Sequence, residues 1–287
     1  MKVAVMTDSN SGIFKMDGER MGVFVVPMPI VINDETYYEG ENITLDKFFE
    51  HLTGGDLVTS SQPALGTLID MWDELLEKEY DEIVYIPMSS GLSSSCAAAT
   101  MLAAEYEGKV QVVDNHRISV PMYGSVLDAL KLAKEGKSAL EIKAELEASA
   151  FECSIYISVD TLEFLKRGGR VTATAAALGS VLNIKPVLTI QGDKLDAFAK
   201  VRGVKKGRAK IIESIEKDLN TRFADVAKEN IRIATAGTFR NSEDAEKWRK
   251  EVEENFPGFD VIYFDLGCSV GTHVGPEAFA VGIYRTL

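Results

Sequence analysis

The chain has 287 residues and 46% of them are hydrophobic, so it can bury a sizeable core and exceeds the ~100 to ~200 residues of a usual domain. Its formal net charge of −13 repels phosphate backbones, which excludes nucleic acid as an expected partner. The N-terminus has no signal-peptide pattern and no run of ~18 apolar residues occurs, so we expect a cytoplasmic protein.

Short apolar runs alternate with segments of helical periodicity in the first half of the chain. This pattern is typical of a parallel sheet covered by helices. The predicted strands are 2–6, 82–86 and 109–113, and the predicted helix is 63–80. Residues 120–150 read as two helices divided at Gly136, with a capping box formed by Ser138 and Glu141 at the start of the second.

A strand predicted at 154–159 begins a second run of the same alternation. Further strands are predicted around 186–190, 231–235, 260–265 and 278–285, and helices around 204–222 and 242–256. The sequence therefore predicts a two-domain α/β protein, with an N-terminal parallel-sheet domain at 1–150 and a C-terminal α/β domain at 151–287.

Hydroxyl-rich loops follow several of the predicted strands. Five serines lie at 89–95, just before an alanine-rich helix whose N-terminal N–H groups suit a carboxylate or phosphate. Ser93 and Ser94 are the candidate ligands there, and Ser60 and Ser61 form a similar turn, with Pro63 near the first helical position. The alternative to ligand binding is that these serines only cap the N-termini of the helices that follow them. Asp8 follows the first strand and would repel an anion, so we interpret it as an organiser of its loop.

A glycine-rich stretch at 267–276 predicts a loop whose backbone approaches another group closely, with His273 as an anion ligand. Gly169 is predicted to end a helix and to orient Arg170, and 200–206 is predicted to be a second basic loop. Residues 166–210 contain eleven Lys and Arg but two acids. This segment is either a solvated face or a docking surface for an acidic partner or a phosphorylated ligand.

Several chemical signatures are missing from the sequence. It contains no nucleotide-binding glycine loop, no nucleophile elbow and no H-E-x-x-H motif. Its histidines, His51, His116 and His273, have no Cys or carboxylate at metal-ligand spacing, so we expect no metal and no cofactor. The three cysteines are widely spaced and form no C-x-x-C pair, which favours buried thiols in a reducing compartment.

Six motifs in chain order together resemble the DegV family of bacterial fatty acid-binding proteins. They are Asp8-Ser9, Ser60-Ser61-Gln62-Pro63, Ser90-Gly91-Leu92-Ser93, Arg167-Gly168-Gly169-Arg170, Lys200-Val201-Arg202-Gly203 and His273-Val274-Gly275-Pro276. The order and spacing match over essentially the whole chain. The resemblance implies a monomer that holds one long acyl chain in an apolar tunnel between two α/β domains.

By the same resemblance, the carboxylate of the fatty acid is held by the serine loops and the histidine. These ligands are Ser60, Ser61, Ser93, Ser94 and His273. A partner fatty-acid kinase would convert the bound acid to an acyl phosphate for phospholipid synthesis, with transient contact to a membrane surface. Arg170 and Arg202 would serve the encounter with that kinase or contact the phosphoryl group.

Three departures from the family pattern bear on this site. The first hydroxyl of the family's T-S-Q-P turn is Ser60 here, which keeps the donor. Ser94 stands where the family usually has glycine, and Glu277 stands where a glycine usually follows His273-Val274-Gly275-Pro276, so an acid is expected near the carboxylate. The competing hypotheses are a serine-dependent hydrolase or acyl transferase that uses Ser93 with His273, and a phosphoryl transferase that uses Arg170. Absence of a nucleophile elbow argues against the first, and absence of a nucleotide loop against the second.

Overall fold

A four-stranded parallel sheet forms the first part of the fold in the computed structural model, which describes residues 1–177, 184–191 and 194–287. Its strands are β1 (Val3–Asp8), β2 (Val23–Val26), β6 (Glu82–Ile86) and β7 (Val110–Val112), in the order β2-β1-β6-β7. The surrounding helices are α1 (Lys15–Met21), α3 (Leu65–Lys78), α4 (Ser95–Ala103), α5 (Ser119–Lys134) and α6 (Ala139–Ala148). The parallel sheet predicted from the nearly continuous apolar runs is confirmed.

The capping box predicted at the start of α6 is also confirmed. Ser138 Oγ accepts a hydrogen bond from Glu141 N at 3.2 Å, and Glu141 Oε2 accepts one from Ser138 N at 2.9 Å. Pro63 lies further from its helix than predicted, because α3 begins at Leu65 with Ala64 as the preceding cap residue. All three cysteines are buried free thiols, as expected.

A small antiparallel sheet was missed by the sequence reasoning. It contains β3 (Pro29–Ile32), β4 (Glu35–Tyr38) and β5 (Val58–Ser60) in the order β4-β3-β5. Helix α2 (Leu45–Gly54) lies between β4 and β5 in the chain. The turn Asn33-Asp34 has positive φ at both residues, 48° and 71°, which is the signature of a tight hairpin. The Asn-Asp dipeptide between two apolar runs is the sequence feature that could have predicted this hairpin.

The second half forms a six-stranded sheet with strand order β10-β9-β8-β13-β11-β12. The strands are β8 (Cys153–Ser158), β9 (Ile184–Ile190), β10 (Asp196–Arg202), β11 (Ile231–Gly237), β12 (Ile262–Asp265) and β13 (Phe279–Arg285). Only the β11–β12 pair is parallel within this sheet. The helices of this half are α7 (Glu163–Gly168), α8 (Ala173–Ala176), α9 (Val204–Leu219), α10 (Ser242–Asn255) and α11 (Cys268–Val274).

Two predicted loops are wrong. Residues 268–274 of the glycine-rich stretch form α11, and the predicted basic loop at 200–206 is the end of β10 followed at once by the start of α9. Glycine ended α7 as predicted, because Gly169 adopts the left-handed conformation with φ of 67°. The domain boundary at 150 falls between α6 and β8 and stays a prediction.

Alternation along the central strand β13 gives the six-stranded sheet two different faces. Phe279, Val281 and Ile283 belong to a core shared with α9 and α10, including Trp248. Ala280 and Tyr284, at the alternate positions, belong to a second core that also contains residues of the N-terminal half, such as Met88. No helix in the described residues is long and apolar enough to span a bilayer.

Candidate functional site

A cavity of about 520 Å³ lies between the loops at the carboxyl ends of the parallel strands and one face of the six-stranded sheet. Its volume is within the ~300 to ~1,000 Å³ of typical small-molecule sites. Most lining side chains are apolar and come from both halves of the chain. They are Met28, Met88, Leu92, Ile118, Val120, Ile155, Ile157, Leu165, Ile190, Leu195, Ala236, Leu266, Val270, Val274 and Ala280.

Small residues on the central strands create the space. Ala236 of β11 and Ala280 and Gly282 of β13 line the cavity, whereas the neighbouring β8 presents the larger Ile155 and Ile157 to it. In antiparallel pairing, Ala280 lies opposite Ile157 and Gly282 opposite Ile155. At Ala236, Ala280 and Gly282 the sheet therefore lacks the bulky side chains that would fill the volume.

One end of the polar lining is a serine–histidine pair that joins distant parts of the chain. Ser60, the last residue of β5, and His273, in the last turn of α11, are 2.8 Å apart between Oγ and Nε2. Burial, together with the nearby charges of Arg170 and Arg167, lowers the pKa of His273 to about 4. The imidazole is therefore neutral at neutral pH.

The surroundings of the imidazole indicate which nitrogen carries its proton. His273 Nδ1 is buried and has no hydrogen-bond partner among the described residues. A proton on Nε2 is consequently favoured, because Nε2–H can donate to Ser60 Oγ and leaves the Ser60 hydroxyl hydrogen for a ligand. Gly168 permits this arrangement, since a Cβ there would lie 2.2 Å from His273 Nδ1.

The second hydroxyl loop both caps a helix and lines the cavity. Ser93 Oγ accepts a hydrogen bond from Ser95 N at 3.2 Å, and Ser94 Oγ donates one to Gln62 Oε1 at 3.1 Å. Ser61 also lines the cavity. The N-cap residue of α4, Ser94, makes no side-chain capping bond, so Ser93 alone meets the first N–H of this helix, and Gln62 connects the two serine loops to each other.

The loop after β1 is organised by Asp8, as predicted. Asp8 accepts hydrogen bonds from Asn10 N at 2.9 Å and from Met88 N at 2.8 Å, and burial raises its pKa to about 6. Asn10 and Met88 line the cavity, and Asp8 is not among its lining residues. Asp8 thus ties two lining loops together without presenting its carboxylate to a ligand.

The two arginines assigned to a partner or phosphoryl group occupy different places. Arg170 is partly buried, lines the cavity and donates from Nε to Leu92 O at 3.3 Å, with a further bond to Gly168 O. Arg202 is exposed at the end of β10 and is not among the lining residues. Glu277 lines a separate pocket of about 280 Å³ with Lys185.

Four polar lining residues were not selected from the sequence. They are Asn10, Gln62, Ser119 and Ser269. Ser269 precedes His273 by one helical turn and therefore lies on the same face of α11. A helix predicted at 268–274 would have identified Ser269 as a lining residue from this i, i+4 spacing. Ser119 has a positive φ of 54° and begins α5.

The arrangement does not match the Ser93–His273 pair of the hydrolase hypothesis. The serine bonded to His273 is Ser60, and no carboxylate orients Nδ1 within the part of the chain that the structure describes. The same described residues contain no group of three or more His, Cys, Asp or Glu that could hold a metal ion.

The fold and the cavity define a mixed α/β protein built around an internal, mainly apolar binding site. The chain belongs to the DegV family, because the sequence model of this family of uncharacterised proteins matches residues 2–286. Protein DegV of Bacillus subtilis is 31% identical over 287 residues, which cover 98% of each chain. A DegV domain-containing protein of Deinococcus radiodurans is 30% identical and covers 99% of this chain and 98% of its own length.

Solved structures show the same fold. The fatty acid-binding DegV family protein of Thermus thermophilus has a TM-score of 0.87 and 31% identity, over 99% of this chain and 100% of that chain. DegV of Bacillus subtilis, a fatty acid-binding protein, has a TM-score of 0.83 and 30% identity over all of both chains. A stearic acid-binding protein of Eubacterium ventriosum has a TM-score of 0.87 at 20% identity, over 99% of this chain and 98% of that chain, a likeness of fold alone.

Proposed function

We propose that this protein binds one long-chain fatty acid, with the acyl chain in the cavity and the carboxylate at the serine loops. The observation that carries the proposal is the cavity itself, whose wall is mainly apolar and whose polar lining includes Ser60, Ser93 and His273. Fatty acid binding by the relatives from Thermus thermophilus and Bacillus subtilis supports it.

The acyl chain supplies most of the affinity in this proposal. Transfer of a methylene group from water to an apolar site contributes ~0.8 kcal/mol, so a chain of about sixteen carbons has a gross gain of roughly 12 kcal/mol before the costs of immobilisation. The polar groups set the orientation. Their geometry suits a carboxylate, because the hydroxyls of Ser60, Ser61 and Ser93 can donate to its oxygens while neutral His273 aligns the first of them. The Ser94 hydroxyl donates its hydrogen to Gln62 Oε1 and so holds the two serine loops together.

Native mass spectrometry of the purified protein tests this proposal. The expected spectrum shows the chain with the added mass of one long-chain fatty acid, which is released on denaturation and exchanges with added palmitate. A protein that carries no fatty acid and takes none up after delipidation would contradict the proposal. Ester hydrolysis abolished by Ser93→Ala would instead favour the hydrolase hypothesis.

We further propose that the bound acid is presented in the cytoplasm to a fatty-acid kinase, which forms an acyl phosphate for phospholipid synthesis. The carrier then acts as a monomer, with transient contact to a membrane surface. The exposure of Arg202 supports a contact with a partner, since its side chain is outside the cavity and open to solvent. Arg170 lies beside the serine loops and suits the phosphoryl group.

Arg202→Ala should separate binding from presentation. We expect it to slow acyl phosphate formation by a fatty-acid kinase about tenfold, as for loss of one charge at an interface, while the Kd for palmitate stays unchanged. The control is Lys134→Ala, an exposed cation at the end of α5 in the other half of the chain, which should alter neither quantity. Loss of palmitate binding in Arg202→Ala would contradict the assignment.

A further inference from the structure

Helix α11 has only seven residues and its N-cap residue is Gly267, which has no side chain to cap it. A helix of this length is unstable by itself and depends on tertiary contacts. The cavity nevertheless depends on α11, because Ser269, Val270, His273 and Val274 are all lining residues. Something outside the helix must hold it in place.

Glu39 supplies the missing cap from a distant part of the chain. Its Oε2 accepts a hydrogen bond at 2.5 Å from the backbone N–H of Cys268, the first residue of α11. Glu39 is partly buried, and burial raises its pKa while the bond from Cys268 opposes the rise. A Cβ on Gly267 would lie 2.6 Å from Glu39 Oε2, so any larger residue at position 267 would displace the Glu39 carboxylate.

The small sheet therefore contacts both ends of the helix. Glu39 directly follows β4 and meets the first turn of α11, whereas Ser60 ends β5 and meets His273 in the last turn. The two strands are held at a fixed spacing by β3, where Ile30 pairs with Tyr37 on one side and with Ser60 on the other. Between these contacts, Gly271 allows α11 to lie against Phe48 of α2. A Cβ added to Gly271 would lie 2.9 Å from the Phe48 ring.

We infer that Glu39 is a positioning residue for the ligand's carboxylate. By fixing the N-terminus of α11 on the small sheet, it sets the register of His273 against Ser60. This inference rests on the proposed fatty acid binding. It assigns a role in head-group recognition to a residue that is not among those lining the cavity.

The test compares a fatty acid with the alcohol of equal chain length in delipidated protein. Palmitate and 1-hexadecanol share the same saturated hydrocarbon chain, so a loss confined to palmitate reports on the carboxylate alone. We expect Glu39→Ala to weaken palmitate about three- to tenfold, the effect of one misaligned hydrogen bond, and to change hexadecanol less than about twofold. Glu39→Gln keeps an acceptor oxygen and should restore most of the palmitate affinity.

Glu41→Ala is the matched control, because Glu41 is an exposed carboxylate in the same loop. It should leave both ligands unaffected. Gly267→Ala should also displace the N-terminus of α11 from the Glu39 carboxylate, while residue 39 itself stays unchanged. This variant should reproduce the loss confined to palmitate. Equal losses for both ligands in Glu39→Ala, or no loss at all, would overturn the inference. Failure of the unmodified protein to bind palmitate would instead refute the proposed function.

Discussion

Ala280→Phe should weaken binding of palmitate about a hundredfold, because the aromatic ring would occupy space that about four methylene groups need, at ~0.8 kcal/mol each. Ala280 is buried on the cavity face of β13, opposite Ile157 of β8. Its Cβ therefore points into the volume proposed for the acyl chain. Isothermal titration of delipidated protein with palmitate measures the effect.

The same substitution should have the opposite effect on the empty protein. A phenylalanine forced into a packed core costs ~1 to ~3 kcal/mol, whereas one that fills an existing cavity removes unfavourable empty volume. We expect the unfolding temperature of ligand-free Ala280→Phe to equal or exceed that of the unmodified protein. Ala280→Ser, which is nearly isosteric, serves as the control for affinity. A destabilised variant that still binds palmitate would contradict the position of the cavity.

Ser60→Ala should weaken palmitate about ten- to a hundredfold, since a hydrogen bond to a charged group contributes ~1.5 to ~3 kcal/mol. The substitution removes the hydroxyl donor and leaves His273 Nε2 without the partner that lies 2.8 Å away. Displacement of a fluorescent fatty acid by palmitate gives the affinity. The ¹⁵N chemical shifts of the His273 ring give the tautomer, which should no longer be held with the proton on Nε2.

Thr59→Ala is the matched control for this variant. Thr59 is the neighbouring hydroxyl on β5, but it is exposed and is not among the residues lining the cavity. Because side chains alternate along a strand, it lies on the opposite face from Ser60. Similar losses in Thr59→Ala and Ser60→Ala would argue against a specific contact between Ser60 and the carboxylate.

The sequence predicted the polar end of the site better than its apolar wall. The sequence singled out Ser60 and Ser93 because they lie in hydroxyl-rich loops, and His273 because it lies in a glycine-rich stretch. All three residues line one cavity. Ala236 and Ala280 gave no such signal. An apolar strand has the same sequence pattern whether its alanines face a cavity or a packed core. Only the pairing of β8, β13 and β11 identifies them as the open centre of a sheet face.

Helix α11 shows why local propensity failed near His273. Gly267, Gly271 and Gly275 have the composition of a loop, yet Gly271 lies inside α11 and the other two are its cap residues, and each is closely approached by a side chain of another element. An added Cβ would lie 2.6 Å from Glu39, 2.9 Å from Phe48 and 2.5 Å from Phe164, respectively. Contacts this distant in the chain override the low helix propensity of glycine, and a single sequence does not contain them.

The hollow centre of the six-stranded sheet also has a consequence for how long the protein survives in a cell. Apolar walls around a cavity of about 520 Å³ that holds no ligand lack the contacts of a packed core, at a cost in stability. A bound acyl chain would remove that cost and act as part of the hydrophobic core. If the protein binds fatty acid as proposed, mass action would then make its resistance to proteases rise with the concentration of free fatty acid.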